Sequence, residues 1–422
     1  MDTAPEMTPD PRLDRQLRIQ DWDQEALERA RIAVFGDNDL LASLYVLSAA
    51  ALGLNDIVLM APSWDRPLLD LARRVNPKLR LVLLEGLYTH PILDEIFSPC
   101  AAIVDLTRYA LANKLLLEKS FRSDVPVVRG FCRTGSGREG LTVFAYRKGR
   151  EWHELWDLVS PSNLPTEHFD DGALDLVAAG IALEETKNVL MERRLSEDAI
   201  AYDRPTMPAR GAEPSVAIVG AGALGNFVGL GLAFAGLRSI TVIDPDTVDV
   251  TNLNRQVLLA GGIGRTKAEV LCERLHALFG IETGARVASF RKDTEVSGYD
   301  AIFDCVDNFE TRVILSETCR DERKVLISGG TGPREGQVIV FDPARGNETP
   351  AEVLGMHEIV DRQAVEAFRR DTASCAYRPE PSVVMTNQIV GGLMVDSFRM
   401  LLAGQEPRNT FYDAGNDARI FV

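Results

Sequence analysis

Paired cysteines, a basic balance and long apolar runs are all missing from this 422-residue sequence. Its six cysteines (Cys100, Cys132, Cys272, Cys305, Cys319 and Cys375) stand singly, with no C-x-x-C pair. Neither a structural zinc site nor a disulfide framework is expected. The five histidines show no ligand spacing either. Lys and Arg total 46 against 62 Asp and Glu, a formal net charge of −16. Nucleic acid and anionic membranes demand a basic face, so neither is an expected partner. No apolar run reaches membrane-spanning length, and the N-terminal MDTAPEMTPD lacks the basic and apolar regions of a signal peptide. The expected location is the cytoplasm.

What is present is the composition of a folded protein, 45% hydrophobic and 26% charged, with length for two cores. Residues 1–11 read as a polar tail. Two short helical patterns follow within Arg12 to Arg31, then a buried strand at Ile32 to Phe35. An apolar helix is expected at Leu40 to Leu52 and a strand at Ile57 to Met60.

The chain then repeats itself. ALGLNDIVLMAP (Ala51 to Pro62) aligns with FAGLRSITVIDP (Phe234 to Pro245), and CAAIVDLTRY (Cys100 to Tyr109) with YDAIFDCVDN (Tyr299 to Asn308). TGSGREGLTVF (Thr134 to Phe144) aligns with TGPREGQVIVF (Thr331 to Phe341). The apolar stretch Leu174 to Met191 resembles Thr386 to Leu402. The fold expected is a tandem of two Rossmann-like, doubly wound α/β domains forming a pseudo-dimer. Residues 1–195 and 214–422 would be the domains, and the polar stretch 196–213, with Pro205 and Pro208, their linker.

The copies differ where chemistry would sit. In the second, the strand Val216 to Val219 leads into GAGALG, where Gly220, Gly222 and Gly225 let backbone amides approach a phosphate at a helix N-terminus. Asp244 ends the next strand, where an acid can hold ribose hydroxyls. Asn252, Arg255 and Gln256 follow in NLNRQ, then Lys267. Two cations behind a phosphate turn suit a triphosphate better than a pyrophosphate. Asp304 and Asp307 close a strand at Ala301 to Phe303, and one of them could hold Mg²⁺. The first copy has GDNDLL instead, which keeps one glycine and gains Asp37 and Asp39, with Ala61 for Asp244 and Arg108 for Asp307. Carboxylates beside a phosphate cradle would repel the ligand, so this copy is expected to be nucleotide-dead.

Taken together, GAGALG, DPDTVDVTNLNRQ, GRTKAEV and DCVDN closely resemble the ubiquitin-activating-enzyme (E1-like) superfamily of adenylating enzymes, which includes the molybdopterin- and thiazole-pathway adenylyltransferases. The N-terminal RLDRQLRIQ resembles the start of that group's inactive adenylation half. The resemblance implies ATP and Mg²⁺ as cofactors, with Asp244 and Asp246 of the DPD run, the glycine turn, Asn252, Gln256 and Asn308 binding nucleotide. It implies that Arg255 and Lys267 hold the triphosphate, that Asp307 organises Mg²⁺, and that Arg15 reaches across from the first half.

Cys375 precedes Pro381 by the spacing that, in ubiquitin-type activating enzymes, marks a nucleophilic cysteine before the crossover helix. The resemblance thus implies adenylation of a ubiquitin-like (β-grasp) protein, a thioester on Cys375 within a short segment at 343–385, and transfer to a conjugating enzyme. Arg370 and Arg378 would favour the thiolate. The departures are the lack of a large cysteine domain, of a C-terminal ubiquitin-like domain and of the zinc cysteines common in sulfur-pathway relatives. The compact tandem resembles a small prokaryotic activating enzyme. The alternatives are an adenylating enzyme for a sulfur carrier or ribosomal peptide without a thioester step, an NAD- or FAD-dependent oxidoreductase, and a non-catalytic scaffold.

Overall fold

The computed structural model describes residues 10–37, 40–90, 99–148, 171–207, 214–360, 380–406 and 408–422. The first half runs α1 (Asp14–Leu17), α2 (Gln24–Arg29), β1 (Arg31–Gly36), α3 (Leu40–Leu52), β2 (Asp56–Ala61), α4 (Arg66–Val75), β3 (Arg80–Glu85), β4 (Ala102–Leu106), α5 (Ala110–Ser123), β5 (Val127–Gly135), β6 (Arg138–Tyr146), α6 (Gly172–Leu190) and β7 (Ile200–Pro205). The second runs β8 (Val216–Val219), α7 (Ala223–Phe234), β9 (Ser239–Ile243), α8 (Lys267–Phe279), β10 (Glu282–Arg286), β11 (Ala301–Asp304), α9 (Phe309–Asp321), β12 (Val325–Thr331), β13 (Glu335–Phe341), α10 (Pro350–Val353), α11 (Val384–Leu402), β14 (Thr410–Asp413) and β15 (Ile420–Phe421). Short 3-10 turns at Pro11–Leu13, Val250–Asn252 and Val257–Leu259 complete the part that matters for the site.

The two sheets have the same topology. One is ordered β3-β2-β1-β4-β5-β6-β7, the other β10-β9-β8-β11-β12-β13-β14-β15. In each, five strands are parallel and the remainder antiparallel. Register makes the repeat quantitative: Phe35 pairs with Asp105 as Val219 pairs with Asp304. The fold expected from the internal repeat is the fold observed.

The stretch 196–213, expected to be a linker, contains β7, which pairs antiparallel with β6 and closes the first sheet. Its residues alternate buried and exposed from Ile200 onward, a period-two pattern hidden by polar composition. Arg204 and Tyr202, both polar, occupy buried positions.

Helices α6 and α11 pack against each other and hold the halves together. Both are buried along nearly their whole length, so neither has a polar face. Close approach rests on glycines. A Cβ on Gly180 would sit 2.6 Å from Ile389, and one on Gly392 2.9 Å from the Ala173 carbonyl oxygen. Around this seam lies a buried ionic cluster. Arg204 engages Glu139, Asp171 and, at 2.7 Å, Asp396 of α11; Arg399 of α11 also engages Asp171. Tyr202 donates to Asp396 at 2.8 Å. Burial pushes the Asp396 carboxyl up to about 6 against the pull of Arg204. Burial also raises Asp171, but the Arg399 and Arg204 guanidiniums outweigh it and hold Asp171 below the usual carboxylate range.

Among the described residues no helix is long and apolar enough to cross a membrane.

A group whose folded pKa is depressed stabilises the fold above its unfolded value and loses that contribution as pH falls through the folded one. Asp171→Asn should therefore cost about 3–5 kcal/mol at neutral pH, since it removes a counter-charge shared by two buried or half-buried guanidiniums. It should also flatten the acid limb of the urea-midpoint profile below the ordinary carboxylate pKa of about 4, where the wild-type contribution is lost as pH falls toward the depressed folded value. A wild-type acid limb in the variant would reject this assignment.

Candidate active site

Strand order reverses between β8 and β11, and the carboxyl ends of those strands form the crevice where doubly wound sheets bind ligands. Every described member of the candidate set comes from this edge or from a segment packed on it.

The glycine turn has steric reasons at each position. Gly220 has φ +99°, and a Cβ there would lie 2.6 Å from the Cys305 carbonyl oxygen. A Cβ on Gly225 would overlap the Gly220 carbonyl. Gly222 is different: a Cβ would meet only Gln256 Nε2, at 3.9 Å, so this position faces open space. Helix α7 starts immediately after it, with its N-terminal amides directed into that space.

Asp244 braces the turn. Its carboxylate accepts from the amides of Ala221 (2.6 Å) and Asp246 (2.8 Å), one on each oxygen. Burial raises its pKa, with Lys267 and the two amides pulling the other way. Each oxygen keeps lone pairs for ligand hydroxyls. Asp246 is mostly exposed and pairs with Lys267 Nζ at 2.8 Å, so it anchors the lysine at the start of α8. Asn252 accepts from the Asp249 amide at 2.9 Å and closes a reciprocal cap on its 3-10 turn. Gln256 turns its amide toward Gly222, and its Oε1 is buried with no hydrogen-bond partner. A buried orphan acceptor is costly unless a ligand donor meets it.

Arg255 carries the electrostatics. It is buried, donates from Nη1 to the Thr251 carbonyl (2.8 Å) and to Asn254 Oδ1 (2.7 Å), and pairs with no carboxylate within ion-pair distance among the described residues. Burial, then the nearby Arg15 guanidinium, pull its pKa down to about 10, against Asp14 and Asp307. It remains a cation at neutral pH. Arg15 belongs to α1 of the other half, donates from Nη1 to the Glu380 carbonyl at 3.1 Å, and has a buried Nε with no partner. Two guanidiniums from opposite halves are thus held within mutual electrostatic reach.

Asp307 is exposed beyond β11 and close enough to act on Arg255. Asp304 is fully buried and engaged by Ser328 (2.6 Å), the Val306 amide and Arg312, which leaves Asp307 as the accessible acid of the pair. Asn308 caps α9 through the Thr311 amide (2.8 Å), a structural duty. No cluster of three or more His, Cys, Asp or Glu that could hold a metal exists among the described residues. One carboxylate completed by phosphate oxygens and water is the usual way Mg²⁺ is held, so the donor set fits that ion.

The first half has closed the equivalent crevice. Asp37 accepts from the Arg108 amide, and its carboxylate faces the Arg108 guanidinium at 3.7 Å. Ala61, fully buried, ends β2 where Asp244 follows β9. Asp39 and Cys375 lie outside the described residues. The five described cysteines, Cys100, Cys132, Cys272, Cys305 and Cys319, all have thiols raised by burial, Cys272 to about 11, the opposite of an activated thiolate. Sequence reading overlooked Gln16 and Asn254, both fully buried amides at the junction of the halves; no residue-type signal pairs positions 238 apart.

A Rossmann-like crevice at the switch point of a doubled sheet, with the motif set on its edge, is the class defined here, that of the E1-like adenylating superfamily. Residues 210–417 match the model of the ThiF family. Over 133 residues the chain is 39% identical to the adenylyltransferase and sulfurtransferase MOCS3 of Anopheles gambiae, covering 30% of each chain. It is 38% identical over 132 residues to the adenylyltransferase and sulfurtransferase uba4 of Aspergillus terreus, covering 30% of this chain and 27% of that one. It is 33% identical over 135 residues to the tRNA threonylcarbamoyladenosine dehydratase of Haemophilus influenzae, covering 30% of this chain and 52% of that one. The matches thus span between about a quarter and a half of these relatives' length.

Gly222→Ala should keep the urea midpoint within about 0.5 kcal/mol of wild type, because the new methyl meets open space. It should weaken binding of inorganic tripolyphosphate by calorimetry. Gly225→Ala should cost about 1–3 kcal/mol of stability through overlap with the turn itself. Equal stabilities for the two variants would contradict the geometry.

Proposed function

We propose that the chain is an ATP-dependent adenylating enzyme that activates the C-terminal carboxylate of a small carrier protein or peptide, of the sulfur-carrier kind. The observation that carries this reading is the buried Arg255 guanidinium with Arg15 of the other half within electrostatic reach. Asp14 and Asp307 offset their repulsion only in part, a polyanion would relieve it further, and Lys267, paired with Asp246, is a third cation. A dinucleotide pyrophosphate needs less. The first half, through β7, serves as a degenerate half that supplies Arg15, and residues 214–422 as the reacting half, in the cytoplasm where ATP is at hand.

In the reaction a substrate carboxylate oxygen bonds to the α-phosphorus while the α–β bridging bond breaks, and pyrophosphate leaves with that electron pair. The product is an acyl-adenylate. Asp244 and the glycine turn hold ribose and phosphates, Asn252 and Gln256 support the same cradle, and Arg255, Lys267 and Arg15 stabilise charge that grows on the phosphate oxygens. Bound through Asp307 and the phosphates, Mg²⁺ would supply further neutralisation of that charge.

The sulfur-carrier class is favoured by relatives named as adenylyltransferases and sulfurtransferases. The net charge of −16 speaks against a tRNA substrate like that in the name of the Haemophilus relative. A second reading keeps a ubiquitin-like substrate, a thioester on Cys375 and a conjugating partner. It is favoured by one observation, the Cys375–Pro381 spacing before α11.

The test is exchange of labelled pyrophosphate into ATP, dependent on a β-grasp protein ending in glycine. Arg255→Ala and Lys267→Ala should each lower exchange by about a hundredfold or more, as loss of a transition-state charge contact does. Robust NAD(H) binding with no ATP binding would reject adenylation. A reductant-sensitive adduct with the carrier that disappears in Cys375→Ala would select the second reading over the first.

A further inference from the structure

A single file of hydrogen bonds crosses from one half to the other and ends on the central cation. Arg255 Nη1 donates to Asn254 Oδ1 at 2.7 Å, Asn254 Nδ2 donates to Gln16 Oε1 at 3.1 Å, and Gln16 Nε2 donates to the Leu52 carbonyl at 2.8 Å. Gln16 lies on α1 of the first half, and both amide side chains are fully buried. The two ends fix the direction of the whole file. A guanidinium can only donate and a backbone carbonyl can only accept, so each amide between them has one orientation. Gln24 Oε1 at 2.6 Å from Gln16 Nε2 enforces the same choice. Donors all pointing one way polarise each other and strengthen the file.

Among the described residues every acceptor that Arg255 uses is neutral, the Thr251 carbonyl and the Asn254 amide. The guanidinium is therefore oriented without its charge being cancelled. A carboxylate in place of Asn254 would still accept from the guanidinium, but it would consume the charge and could not donate to Gln16 Oε1.

We propose that Gln16 and Asn254 are positioning residues that fix Arg255 from the opposite half through neutral acceptors, so that its full charge is kept for the polyphosphate. This rests on the ATP reading above. It makes the first half a determinant of the second half's phosphate site through a buried contact separate from Arg15.

Calorimetric titration with Mg·ATP and with AMP, alongside urea midpoints, tests it. Wild type should bind ATP; absence of ATP binding overturns the nucleotide reading itself and this proposal with it. Given ATP binding by wild type, Asn254→Asp should weaken ATP by about tenfold or more, the worth of roughly 1.4 kcal/mol of lost charge, while AMP changes less than twofold. Gln16→Ala, remote from any ligand contact, should weaken ATP severalfold with AMP again spared. A merely structural role predicts the other outcome: ATP and AMP affinities fall in parallel with the urea midpoint, or neither moves. Either result overturns the proposal, and the ATP-to-AMP ratio remains readable in a destabilised variant.

Discussion

The seam between α6 and α11 is the constraint on which the rest depends. Two helices without a polar face can only be buried against each other, and Gly180 and Gly392 let them approach to backbone distance. That approach fixes the halves as one body. It lays the 3-10 turn at Pro11–Leu13, just ahead of α1, against the 3-10 turn at Val250–Asn252 of the second half. Arg15 and Gln16 reach the Arg255 neighbourhood only because of it. The ionic cluster of Arg204, Asp171, Asp396 and Arg399 guards the same seam, and its buried charges would be costly in any other arrangement.

One topology has been given two electrostatic fates. In the second half the crevice at the switch point ends in an open glycine position, an orphan acceptor on Gln256 and an Arg255 with no carboxylate within ion-pair distance among the described residues. In the first half Asp37 and Arg108 meet across the equivalent crevice and neutralise each other. Repulsion by carboxylates was the expectation for Asp37; the structure adds that its charge is spent internally on the very residue that replaces Asp307. Loss of the site and gain of an internal ion pair are the same change.

Much of this was legible in the sequence, for identifiable reasons. Buried parallel strands such as Val216–Val219 are continuous apolar runs, and the helix at Leu40–Leu52 is bounded as its apolar run is. The repeat then made each half a check on the other. What stayed hidden were edges and amides. β10 is mostly exposed, so it carries no apolar pattern, and β7 places Arg204 and Tyr202 at its buried positions, so it passes for a linker. Gln16 sits beside Arg15 and reads as one more polar helix residue. Asn254 reads as filler within NLNRQ. Their roles come from a contact across 238 residues that only the folded seam creates. Cys375 remains a reading of spacing, outside the described residues.

The central claim is that two related halves build one triphosphate site, not two and not none. Equilibrium binding of Mg·ATP to the intact chain measures this directly through its stoichiometry. The account predicts one ATP per chain, weakened by Arg15→Ala in the half that has no nucleotide site of its own. Two equivalents per chain, or one equivalent indifferent to Arg15, would contradict it.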